Sequence, residues 1–232
     1  MKVIRHSQNL FRLVRIIPVN SFFVREQDGL TLVDANIPGR ASQILAAAKG
    51  LQMPIRRILL THAHGDHVGS LDELRAQLPD AEVLIGARES RFLAQDFLLD
   101  ATEPKSKLRG QFPAVKTRPT TLLNPGDRVG SLQAVPSPGH TPGHMSFYDT
   151  RDGALLTGDS FESAGGVAVA GVTKILFPLP AMFTWDRAFS LQSAKQMRAL
   201  KPTCLAPGHG PIVASPLSSM DAAIVEAERG LK

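Results

Sequence analysis

Six of the seven histidines in this 232-residue chain, together with Asp66 and Asp159, fall into four short segments, each directly after a predicted strand. The segments are Thr61-His-Ala-His-Gly-Asp-His67, Pro138-Gly-His-Thr-Pro-Gly-His144, Thr157-Gly-Asp-Ser160 and Pro207-Gly-His-Gly210. Ligand-type side chains gathered from separate strand ends need a rigid sheet that holds its loops at fixed distances. A sheet-based scaffold is therefore the first expectation.

The remaining sequence supplies such a scaffold. Leu10–Ile17, Ser21–Arg25 and Leu30–Val33 are rich in β-branched and aromatic residues, with an Asp28-Gly29 turn signal between the last two. Arg40–Leu51 reads as a helix, Ile55–Leu60 as a buried strand, Leu71–Leu78 as a short helix and Glu82–Ile85 as a strand. The second half repeats the theme. Val129–Val135, Met145–Asp149 and Ala154–Thr157 read as strands, Thr184 as the cap of a helix running to Leu200, Thr203–Ala206 as a strand and Ser218–Leu231 as a helix. Two sheets, each covered on its outer side by helices, satisfy both halves. Asp96–Pro119 and Ser163–Pro180 fit no element and read as long loops of the kind that shape binding sites.

Composition narrows the function classes. Apolar residues make up 43% and charged residues 20%, so the chain has the material for a packed core. The single cysteine, Cys204, excludes an intramolecular disulfide and a thiolate-rich zinc site. Net charge is +5, and the densest basic run, Lys105, Lys107, Arg109, Lys116 and Arg118, reads as a solvated loop. Lys2, Arg5, Arg12 and Arg15 interrupt the N-terminal apolar stretch, unlike a signal peptide. Pro136, Pro138 and Pro142 break the charge-free stretch Val129–Tyr148, unlike a membrane span. The expectation is a cytoplasmic protein with no membrane partner and a small-molecule substrate; nucleic acid is disfavoured, and a homodimer is compatible.

Four ligand-type residues within six positions, His62, His64, Asp66 and His67, suit two metal ions better than one, because a tetrahedral site needs only four protein ligands in total. His140, Asp159 and His209 bring the set to seven. His144, three residues beyond His140 where a strand resumes, reads as a supporting residue rather than a ligand.

On these residues the chain resembles the metallo-β-lactamase superfamily. The His-x-His-x-Asp-His signature is that family's hallmark, and Asn20–Val24 and Leu32–Asp34 look like its opening strands. The resemblance implies a four-layer αβ/βα sandwich, one domain over residues 1–232, with a two-metal cleft. It assigns His62, His64 and His140 to one ion, Asp66, His67 and His209 to the other, and Asp159 as the bridge; Asp34 would brace the loop. Where the β-lactamases usually carry Cys or Ser, this chain has Asp159, as lactonases, glyoxalase II-like thioesterases and the processing nucleases do. Acyl-homoserine lactonases often place Tyr three residues further on; here Glu162 stands there.

The expected reaction is metal-dependent hydrolysis of a carboxylic ester bond, a lactone or thioester, with phosphodiester hydrolysis as the alternative. Two divalent ions flanking a water lower its pKa toward neutrality, and Asp66 can pass a proton to the leaving group. Zinc is the default for imidazole-rich sites, with iron, manganese or cobalt able to use the same ligands. Phe161, Phe177, Leu179, Met182 and Phe183 are candidates to line an apolar acyl pocket.

Overall fold

Parallel and antiparallel strands alternate with helices in an order that brings all four ligand-bearing segments to strand ends. The structure, a computed structural model, describes residues 1–14 and 19–231; the side chains of Leu179 and Pro180 lie outside that description. The chain divides into two compact units, Met1–Gln95 with Gln111–Leu123, and Asp96–Gly110 with Asn124–Lys232.

The first unit contains β1 (Lys2–Arg5), β2 (Leu10–Val14), β3 (Ser21–Glu26), β4 (Gly29–Val33), α1 (Ala41–Gly50), β5 (Ile55–Leu60), α2 (Gly65–Val68), α3 (Leu71–Gln77), β6 (Glu82–Gly86), α4 (Ala87–Leu93) and β7 (Thr121–Leu123). Its seven-stranded sheet runs in sequence order, antiparallel through β4 and parallel from β4 to β7. Parallel neighbours joined by helices require crossovers, and right-handed crossovers advancing in one direction place those helices on one face. Every residue of β4 is buried, as are Ile58, Leu59 and Leu60 of β5. Because Val33 pairs with Leu59, the two strands end side by side, and Asp34 arrives beside Thr61.

The second unit contains β8 (Arg128–Val129), β9 (Leu132–Pro136), β10 (Met145–Asp149), β11 (Ala154–Gly158), β12 (Phe161–Glu162), β13 (Ala168–Val169), α5 (Leu179–Met182), α6 (Arg187–Ala199), β14 (Cys204–Pro207), β15 (Val213–Ala214) and α7 (Leu217–Arg229). Its six-stranded sheet has the order β15-β14-β11-β10-β9-β8, with only β11 and β14 parallel. Met145 pairs with Pro136, and Gly158 with Pro207, so the His140 turn, Asp159 and His209 leave the sheet at one end. Leu191, Ala194 and Met197 of α6 and Met220, Ala223 and Ile224 of α7 recur at helical spacing and pack with Leu155, Phe161, Val169 and Leu205.

Several expectations change. Val129–Val135 is two strands, not one: Gly130-Ser131 turns the chain, with Gly130 at φ +59°. Asp186, not Thr184, caps α6, its carboxylate accepting from the Phe189 amide at 3.0 Å. Residues 15–17 of the expected first strand lie outside the described residues. Neither β1 nor α4 was expected from the sequence, since Lys2–Arg5 and Ala87–Leu93 are short and mixed. Cys204 is buried in β14, and burial pushes its thiol up to about 11, so it is inert. Among the described residues, no helix is long and apolar enough to cross a membrane.

Phe161 is fully buried against the two helices, so its side chain belongs to this core and not to a substrate cleft. Phe161→Ala should cost about 3–5 kcal/mol of stability, measured by denaturant unfolding. A loss under about 1 kcal/mol would place the ring outside the core.

Candidate functional site

In the first unit the histidine loop is built around one carboxylate. Asp34, itself buried and at φ +63°, accepts from the Thr61 amide at 2.8 Å and the Thr61 hydroxyl at 2.9 Å. His67 Nδ1 lies 2.7 Å from the same carboxylate. A carboxylate can only accept, so Nδ1 carries the proton and the Nε2 lone pair is left to bind a metal. The same reasoning reaches His62. Thr61 donates its one hydroxyl proton to Asp34, so at 3.0 Å it accepts from His62 Nδ1–H, and His62 Nε2 is again the ligand atom.

The rest of the loop is fixed as firmly. His62 and His64 stack edge-on with ring centres 4.8 Å apart, and His62 and His67 lie 4.1 Å apart. Phe112 covers His64 at 4.6 Å, and the Gly65 amide donates to Gln111. Asp66 is the one partly exposed member, with its carboxylate 3.9 Å from His67 Nε2. Glu89, fully buried on α4, accepts from the Ala63 amide between His62 and His64 at 2.9 Å. Sequence reading missed Glu89 and Phe112; an acid on an otherwise half-apolar helical turn is the only trace Glu89 leaves.

The second unit arranges His140, Asp159 and His209 around another buried carboxylate. Asp159 Oδ2 lies 3.4 Å from His140 Nε2 and 3.1 Å from His209 Nε2. His144 does not join them. Its Nε2 accepts from the Asp159 amide at 3.2 Å, so its Nδ1 carries a proton and lies 2.8 Å from Ser137 Oγ and 3.1 Å from Ser160 Oγ. Both ring nitrogens are thus committed to holding the Asp159 turn. The His140 turn is pinned from outside: a Cβ on Gly139 would sit 2.3 Å from the Ser190 amide, so only glycine permits this approach to α6. The Trp185 amide donates to the His140 carbonyl at 3.0 Å, and the Thr184 hydroxyl lies 3.4 Å from His140 Nδ1.

The candidate pocket residues divide. Phe161 is core, as described above. Phe177 is partly buried and stacks 5.3 Å from the His209 ring, whereas Met182 and Phe183 are exposed. Leu179 opens α5, and its side chain lies outside the described part.

Glu162 was weighed only as the residue replacing a tyrosine, yet it is the most unusual acid of the second unit. It is 1% exposed, and neither carboxyl oxygen has a hydrogen-bond partner among the described residues. Burial, reinforced by the Asp159 carboxylate, pushes it up to about 8. An acid with a raised folded pKa binds more protons folded than unfolded, so its contribution destabilises progressively as pH rises from about 4.3, the unfolded value, to about 8. Metal-free wild-type protein should therefore lose thermal stability more steeply than Glu162→Gln between pH 5 and pH 8. Parallel melting curves for the two proteins would refute it.

Residues 14–209 match the model of the metallo-β-lactamase superfamily. The uncharacterized protein YobT of Bacillus subtilis is 46% identical over 93% of both chains. A hydroxyacylglutathione hydrolase of Legionella pneumophila is 32% identical, over 65% of this chain and 53% of that enzyme. Among solved structures, TTHA1623 in a di-iron-bound form is 26% identical with a TM-score of 0.63, covering 89% of this chain and 94% of that one. With the signature histidines held on buried carboxylates at the strand ends of an α/β scaffold, the chain belongs to the metallo-β-lactamase superfamily of metal-dependent hydrolases and has its fold.

Proposed function

We propose that the chain is one catalytic domain, a binuclear hydrolase of carboxylic ester bonds, with a lactone or thioester as substrate. The observation that supports it most is the Asp159 carboxylate, whose one oxygen faces both His140 Nε2 and His209 Nε2 at 3.4 and 3.1 Å. Two imidazoles converging on a buried carboxylate is a costly grouping of polar atoms unless a cation satisfies them. The donor set therefore fits divalent metal. In this reading His62, His64 and His140 hold one ion, Asp66, His67 and His209 the second, and Asp159 both. Zinc suits the imidazole-rich set, and the di-iron relative supports iron as well.

When bound, the ions supply Lewis acidity, acidifying a water and polarising the acyl carbonyl. The chain's own residues do the rest. Asp34 and Thr61 keep the His67 and His62 rings in the tautomer that offers Nε2. His144 holds the Asp159 turn through its amide. Asp66, the partly exposed acid, is the one placed to exchange protons with solvent and hand one to a departing alkoxide or thiolate. Phe177 beside His209 offers an apolar surface for an acyl group.

Reconstituted protein should carry close to two metal ions per chain. Asp159→Ala should lose more metal and more activity than His144→Ala, for which a loss of about 10–100-fold is expected. Metal analysis and initial rates check this, and equal losses would mean that one of the two residues is misassigned. On one metal-defined sample, kcat/KM for a medium-chain lactone or a thioester should exceed that for a phosphodiester. A phosphodiester preference of tenfold or more, about 1.4 kcal/mol in the transition state, would overturn the ester reading in favour of phosphodiester hydrolysis.

A further inference from the structure

Helix α4 leaves the sheet of the first unit where the histidine loop begins. Leu60, the last residue of β5, pairs with Ile85 of β6, so Gly86 and α4 start beside Thr61 and His62. Glu89 and Phe92 lie three residues apart on α4, hence on one face of it, and both are buried. Each reaches the loop by its own route. Glu89 Oε1 accepts from the Ala63 amide at 2.9 Å. Phe92 packs on Phe112 with ring centres 5.1 Å apart, and Phe112 packs on the His64 ring at 4.6 Å.

The segment that carries Phe112 is itself tied to the loop and to the end of the helix. The Gly65 amide donates to the Gln111 carbonyl at 2.9 Å. The side-chain amide of Gln95 lies 3.4 Å from the Phe112 carbonyl and 3.3 Å from that of Pro113. The His64 ring is thus backed by Phe112, as the His62 ring is oriented by Thr61 and, behind it, Asp34.

With both rings oriented, the separation of the two imidazoles depends on the backbone that joins them. The Ala63 amide belongs to the peptide between His62 and Ala63, and rotation of that peptide plane moves the two histidines relative to each other. Ala63 is 1% exposed, so its amide needs an acceptor inside the protein. Glu89 supplies it from an element 26 residues away in sequence, and the hydrogen bond ties the plane to α4. Ligand sets that meet one ion have to be held to within about 0.5 Å of the productive geometry, so a fixed peptide between two ligands acts on the ion even though Glu89 does not touch it.

We propose that Glu89 is a positioning residue of the metal site: through the Ala63 amide it sets the backbone between His62 and His64, and with it the spacing at which the two rings meet one ion. The effect on metal affinity rests on the metal-dependent hydrolase reading above; the hold on the Ala63 amide does not.

Hydrogen exchange at the Ala63 amide of the metal-free full chain reads that hold directly. Glu89→Ala should speed it by about tenfold, and Glu89→Gln, whose side-chain oxygen also accepts, should stay close to the wild type. Equal exchange in the wild type and Glu89→Ala overturns the proposal. Zinc affinity is measured by competition with a chelator. Glu89→Ala should bind zinc about 10–100-fold more weakly, and Glu89→Gln should recover most of the loss; a Gln variant as weak as the Ala variant overturns a role through the hydrogen bond. Ile44→Ala on α1 removes core packing and leaves the Ala63 bond in place, so it should keep wild-type affinity; an equal loss there assigns the effect to general destabilisation and overturns positioning. If Glu89→Ala does not fold, Glu89→Asp, which keeps the carboxyl and withdraws it by one methylene, should show the same two losses. A wild type that takes up no metal refutes the hydrolase reading and the affinity claim with it, and Ala63 exchange then still decides whether Glu89 holds the loop.

Discussion

The Asp34 carboxylate is the interaction on which the histidine loop depends. It lies at the end of β4, and the parallel register of β4 with β5 delivers Thr61 beside it. One buried acid then fixes three things at once: the exit of β5, the orientation of His67 and, through the Thr61 hydroxyl, the tautomer of His62. A carboxylate in this position is satisfied entirely by donors whose placement matters for metal binding. Its burial is offset by those hydrogen bonds, so the loop is rigid before any ion arrives.

The second unit solves the same problem with the opposite partner. There the acid, Asp159, is the candidate ligand, and a histidine, His144, is the brace. Residue type alone does not separate ligand from support. What separates them is the use of both His144 nitrogens by an amide and two serine hydroxyls, against the Nδ1 hydrogen bonds of His62 and His67 that leave Nε2 as the lone-pair atom.

Much of this was legible in the sequence because it is local. The strands around the four segments, the helix spacing of Leu191, Ala194 and Met197, and the motif histidines all follow from short-range pattern. The parts that were not legible depend on tertiary partners. Glu89 acquires its role only when α4 brings it under Ala63, 26 residues away in sequence. Phe161 carries no mark of which way it faces; pairing with β13 turns it to the helices. Thr184 is a sound capping residue by composition, yet its hydroxyl lies beside His140, and Asp186 two residues later takes the helix end.

Glu89 and Glu162 set the physical contrast that separates scaffold from site. Both are fully or almost fully buried acids on short elements. Glu89 accepts a backbone donor that would otherwise be unsatisfied, so its desolvation is offset and the loop gains a fixed point. Glu162 has no such partner among the described residues, and a neighbouring carboxylate adds to its cost. A buried group that lowers the stability of its own fold is not explained by folding, and such groups concentrate where binding or chemistry supplies the missing partner. Its place on β12, three residues beyond Asp159, sets that unmet demand within the same stretch of chain as the proposed bridging ligand.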